Sequence, residues 1–143
     1  MTPRYKAMLK KSAEAMLAGV EIYNKPRFDY REESFAILSI NAWELLLKAR
    51  ILQLSSNKLS SLYIYEKQNK VDGTPSKRKK ISRNRSGAPR TLGLLPSYLK
   101  LVDEFGEKLE KNIRTNLIAL TEVRDNSVHF IIKDLNLEKA YMN

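Results

Sequence analysis

Apolar residues recur at helical spacing from the start of the chain. Over residues 4–24, Tyr5, Met8, Leu9, Met16, Val20 and Tyr23 fall to one side, with Lys10, Lys11, Glu14 and Glu21 on the other. The pattern predicts an amphipathic helix that ends at Asn24-Lys25-Pro26, because proline disfavours helical geometry in the residue before it. Residues 29–54 predict a second helix, with Asp29 as N-cap and Glu32 three positions on. Phe35, Ile37, Leu38, Ile40, Ala42, Trp43, Leu45, Leu46 and Leu47 cover most of its circumference, which suits the middle of a bundle. Asn41, Glu44 and Lys48 interrupt that surface on one narrow face.

After the break at Ser55-Ser56-Asn57 the period changes. Leu62-Tyr63-Ile64-Tyr65 is short, aromatic and β-branched and predicts a strand. Val71-Asp72-Gly73-Thr74-Pro75 is turn chemistry, and Lys77–Arg85 fits a returning strand, closed by Ser86-Gly87-Ala88-Pro89. Disorder is the alternative for 66–90, which has little to bury. Helical patterning resumes near Pro96–Phe105 and again over about 108–132. On the last helix Ile113, Leu117, Leu120, Arg124, Val128 and Ile131 share a stripe within about 40° at 100° per residue. There are no internal repeats. The expected fold is all-α: a bundle of four to five helices carrying a basic hairpin or flexible insertion near 60–90. Residues 1–143 form one expected domain with its basic insertion at 58–90, and the chain reads as the N-terminal part of a longer protein.

Composition narrows the chemistry. The 143 residues are 43% hydrophobic and 29% charged, which suits a folded domain with a real core. Without cysteine there is no disulfide scaffold, thiolate zinc site or cysteine nucleophile, and a single histidine cannot build a multi-histidine metal site. No signal peptide or membrane-length apolar stretch is evident, so a cytoplasmic location and no membrane partner are expected. The net charge is +10. Ten of the basic residues fall in 58–90 (Lys58, Lys67, Lys70, Lys77, Arg78, Lys79, Lys80, Arg83, Arg85 and Arg90), against only Glu66 and Asp72. A patch so concentrated predicts a polyanionic partner, with nucleic acid first and an anionic membrane surface second. Lys77, Arg78, Lys79, Lys80, Arg83 and Arg85 are the candidate backbone-contacting residues, with Tyr63 and Tyr65 as candidate stacking platforms.

The only histidine, His129, follows Arg124 by five residues in Arg124-Asp125-Asn126-Ser127-Val128-His129-Phe130. A group that exchanges protons near neutral pH thus stands close to an obligate cation, a pairing suited to phosphodiester chemistry. Arg124 sits mid-stripe, so it needs a carboxylate partner, for which Glu44 is a candidate, or it must line a cleft. Glu44 has two further readings: a partner for Lys48, or a site residue. His129 is rotated by about 140° from Arg124 on an ideal helix. It shares a side with Ile118, Glu122 and Asp125, and Asp125 at i−4 is placed to orient the imidazole. That side suits a dimer interface.

The run Arg124–His129 resembles the Arg-x4–6-His signature of the HEPN superfamily, with Asp125 in its adjacent polar position. Glu21–Pro26, Phe35–Ala49 and Arg124–Phe130 are together similar to a bacterial family of unassigned function within or near that superfamily. The resemblance implies a HEPN-like helical bundle that dimerises. It implies a metal-independent endoribonuclease of the toxin–antitoxin or phage-defence type, or a relative that has lost catalysis and only binds RNA or nucleotide. Arg124 and His129 would be the catalytic pair with Asp125 beside them, and Asn126 a further site or structural residue. RNA would be the substrate, leaving 2′,3′-cyclic phosphate ends, with no cofactor and no metal. An antitoxin or further domains would be possible partners.

Overall fold

The computed structural model describes the backbone of residues 2–142 and the side chains of residues 2–127. Four α-helices form: α1 (Arg4–Tyr23), α2 (Arg31–Leu54), α3 (Leu94–Asp103) and α4 (Lys111–Met142). Two strands, β1 (Tyr65–Asn69) and β2 (Pro75–Ile81), stand between α2 and α3, preceded by a 3₁₀ turn at Leu59–Leu62.

α2 is central, as its nearly continuous apolar surface requires, and packs against α1, α3 and α4. Its faces divide the work. Small residues meet α1: the buried Ser12 hydroxyl donates to the Ala42 carbonyl at 2.6 Å. A Cβ added at Gly19 would stand 3.3 Å from Leu38 Cβ. Tyr23 and Phe35 close that contact with rings 5.3 Å apart. On another side Ile40, Leu47, Ile51 and Leu52 join Leu62, Leu94, Tyr98, Leu101 and Leu117 in the core. Arg50 bonds Glu107 at 2.6 Å, just ahead of α4, so that helix begins beside the C-terminal end of α2.

The predicted N-cap moves. α2 begins at Arg31 after Tyr30, and no side chain caps it. Arg31 ties the connection instead, donating to the carbonyls of Tyr23, Lys25 and Phe28. Its fork of donors satisfies groups at the end of α1 that Asp29 could not serve, since a carboxylate only accepts.

The expected all-α, HEPN-like bundle is corrected by the antiparallel pairing of β1 with β2. The chain is mostly helical (60%), but its fold is four helices plus a two-stranded sheet. The sheet forms for two reasons. Its turn is well built: Asp72 Oδ1 accepts from the Thr74 hydroxyl and backbone N–H, and Gly73 adopts φ +84°, which glycine reaches without strain. Its root is also pinned to the bundle. Ile64 N–H donates to Arg90 O, Arg90 N–H to Ser82 O, and Ser82 N–H to Ile64 O, a closed ring of backbone bonds. Leu92 N–H adds a bond to Leu62 O, and Leu62 and Ser82 are buried. This junction takes Leu62-Tyr63-Ile64, so the first strand starts at Tyr65 rather than at Leu62.

Candidate nucleic-acid interface

The register Tyr65↔Ile81, Glu66↔Lys80 and Lys67↔Lys79 sorts the hairpin's charges by face. Side chains alternate along a strand, and directly opposed residues share a face. On one face Glu66 and Lys80 form an ion pair at 4.0 Å. On the other, Lys67 stands directly opposite Lys79, beside Tyr65. Both lysines are exposed, and neither has a carboxylate partner among the described residues. Like charges placed opposite one another destabilise a sheet. The protein thus keeps an uncompensated positive face where a single acidic residue would have neutralised it. The pairing shifts between Lys67 and Asn69, which sets the exposed Lys77 and Arg78 in an irregular stretch of β2.

The six predicted contact residues therefore divide. Lys77, Arg78 and Lys79 are exposed along β2, while Lys80 is engaged by Glu66. Arg83 and Arg85 belong to a second tight loop. There Asn84 Oδ1 accepts from Ser86 N–H, the Ser86 hydroxyl and Ala88 N–H, and Arg83 donates to Gly87 O at 2.8 Å. Arg85 sits at the tip of that loop, exposed. Lys67 was not among the six; the closing pair Asn69↔Pro75 alone would set it opposite Lys77, and the irregularity that moves it opposite Lys79 has no mark in the sequence.

Two further lysines brace this region. Lys48 on α2, its side chain only 11% exposed, lies 3.7 Å from Glu44 and donates to Thr91 Oγ1 at 3.2 Å. Lys100 on α3 donates to Ser61 O at 2.7 Å and lies 3.7 Å from Glu104. Between the hairpin root and α3 is an open groove of about 450 Å³, lined by Tyr63, Tyr65, Leu92, Leu99, Lys100 and Asp103 among others.

The Arg124 motif lies within α4. Ile113, Leu117 and Leu120 of its stripe pack on the core. Arg124 does not: its side chain is 44% exposed, and its Nε lies 3.3 Å from Asp125 Oδ1. Of the three readings of Glu44, the pairing with Lys48 is the one found, and the pairing with Arg124 is corrected. Residues 122–126 are all exposed, Asn126 among them, so nothing covers the stripe there within the described residues. Asp125 is engaged by Arg124, its neighbour. The side chain of His129, and with it the predicted Asp125–His129 contact, lies outside the described residues. Sequence reasoning also missed Glu33, in the first turn of α2, whose Oε2 is buried without a hydrogen-bond partner. No motif marks it.

Among the described residues no group of three or more His, Cys, Asp or Glu could hold a metal ion, and no helix is long and apolar enough to cross a membrane. Residues 7–143 match the family described as a domain of unknown function, DUF3644, and the chain belongs to that family. No curated protein and no solved structure matches it.

Proposed function

We propose that the protein is an RNA-binding endoribonuclease that works without a metal. It grips the RNA backbone with the lysine face of the hairpin and cleaves with Arg124 and His129. The observation that carries the reading is the opposition of Lys67 and Lys79, exposed and without a carboxylate partner. A phosphate chain supplies the countercharge that this face lacks, and release of its counterions drives binding. The exposed Arg124 supports the second half of the reading, because a guanidinium at the surface is available to a phosphoryl oxygen while one locked in the core is not.

In the reaction the RNA 2′-hydroxyl attacks the adjacent phosphorus and gives its proton to a base. The bond to the 5′-oxygen breaks, and that oxygen takes a proton. A 2′,3′-cyclic phosphate and a 5′-hydroxyl result. His129 serves as base or acid, and Arg124 stabilises the charge growing on the phosphoryl oxygens. The two residues are about 140° apart around an ideal helix. A cleft shared by two copies would bring one copy's arginine to the other's histidine, which suits a homodimer. A toxin or phage-defence effector is the role this chemistry fits.

The test is incubation of the purified protein with mixed RNA in EDTA, beside Arg124→Ala and His129→Ala variants. Cleavage lost in both variants supports the nuclease. RNA binding without cleavage leaves a binding module. Binding to anionic lipid vesicles but not to RNA would overturn the reading.

A further inference from the structure

We propose that the groove between the hairpin root and α3 is a nucleobase pocket for single-stranded RNA, with guanine its preferred base. The inference rests on the reading of the hairpin as an RNA-binding element and specifies what that element recognises.

Three observations lead to it. Tyr63, with extended backbone at φ −78° and ψ 149°, and Tyr65 are separated by one residue, as are Tyr65 and Lys67. Alternation within β1 puts Tyr65, which lines the groove together with Tyr63 and Ile64, on the face that carries Lys67 and Lys79. A backbone lying on those lysines delivers its next base to the groove. The walls, second, are preset. The Tyr65 hydroxyl donates to Ser60 O at 2.8 Å, which fixes a half-exposed ring, and Leu92 and Leu99 supply apolar surface. An apolar wall with an aromatic edge suits a base face, and Lys100, Asp103 and Glu104 form the groove's polar side.

The third observation concerns charge. Lys100 is committed to Ser61 O and Glu104. Asp103 lines the same groove, is exposed, and forms no ion pair among the described residues. In a region this basic, a free carboxylate beside the groove repels phosphate and accepts hydrogen bonds. An ionised carboxylate offers two acceptor oxygens and no donor. Guanine matches it best, presenting N1–H and N2–H side by side. Cytosine and adenine present one amino group, and uracil presents a single N3–H flanked by two carbonyl oxygens that a carboxylate repels.

Fluorescence anisotropy of labelled single-stranded oligonucleotides tests the pocket, using the full-length chain with His129→Ala as background so that the probes are bound and not cleaved. Oligomers of equal length, containing either one guanine among uracils or uracil alone, are titrated in EDTA. The guanine oligomer is expected to bind roughly tenfold more tightly. Asp103→Asn should abolish that preference, and because it removes a charge that repels phosphate, uracil binding should be no weaker than before. Tyr65→Phe should retain the preference and Tyr65→Ala should weaken both oligomers, with circular dichroism confirming that each variant is folded. Equal affinity for the two oligomers, with Lys67→Ala weakening both, would overturn the pocket and leave the RNA reading standing. Failure of every oligomer to bind would overturn both.

Discussion

Arg124 illustrates how a helical phase and a packed environment differ. Its spacing from Ile113, Leu117 and Leu120 was legible, and those three residues do pack on the core. Periodicity gives the direction of a side chain, but burial needs another element to cover that direction, and none covers residues 122–126 within the described residues. Exposed ion pairs contribute about 0–1 kcal/mol. Arg124→Ala should therefore leave thermal stability nearly unchanged while abolishing RNA cleavage; a large fall in melting temperature would return the residue to a structural role. Glu33 poses the reverse question. A buried polar atom without a partner costs about 1–3 kcal/mol, whereas a carboxylate at a helix N-terminus gains about 0.3–1 kcal/mol. The first effect is the larger, so Glu33→Met should raise stability by about 1 kcal/mol in a urea titration. A loss of stability would mean that the carboxylate is held by groups its burial does not reveal.

At the scale of elements, α1, α2 and the hairpin turn were readable because each depends on local chemistry: apolar spacing, proline, and the Asp72-Gly73-Thr74 sequence. The strand start was not, because the ring of bonds among Ile64, Ser82 and Arg90 joins segments distant in sequence. The turn also has a pH signature. The Thr74 hydroxyl and then its backbone N–H hold the Asp72 carboxyl below the usual carboxylate range. A lowered folded-state value means that these bonds are intact above the ordinary range and are lost as acid protonates the group. The opposed lysines allow a sharper experiment. Lys67→Glu would place a carboxylate across from Lys79, and opposite-charge pairs in that position contribute about 0.2–1 kcal/mol. The variant should be slightly more stable than the natural chain yet bind RNA at least about tenfold more weakly. If it binds equally well, the lysine face is only a tolerated repulsion.

For the whole molecule, the bundle is the scaffold and the hairpin the charged instrument fixed to it. Lys48 and Lys100 reach from α2 and α3 to Thr91 and Ser61 at the hairpin root, so the basic face is held in register with the groove. That arrangement predicts which charges meet the RNA. Lys80 lies with Glu66 on the opposite face of the hairpin, and Arg83 donates to Gly87 O, so Lys67, Lys77, Arg78, Lys79 and Arg85 are the charges expected to meet phosphates. Each phosphate neutralised on a single strand contributes about −0.7 to the slope of log affinity against log salt. Five contacts give a slope near −3.5. Replacing Lys67 and Lys79 together should flatten it by about 1.4, while Lys80→Ala should leave it nearly unchanged. Patch charge alone would make any two of these basic residues equivalent. A steeper loss from Lys80 than from Lys67 would show that RNA approaches the opposite face of the hairpin, and the groove beside Tyr65 would then lie on the wrong side to receive a base.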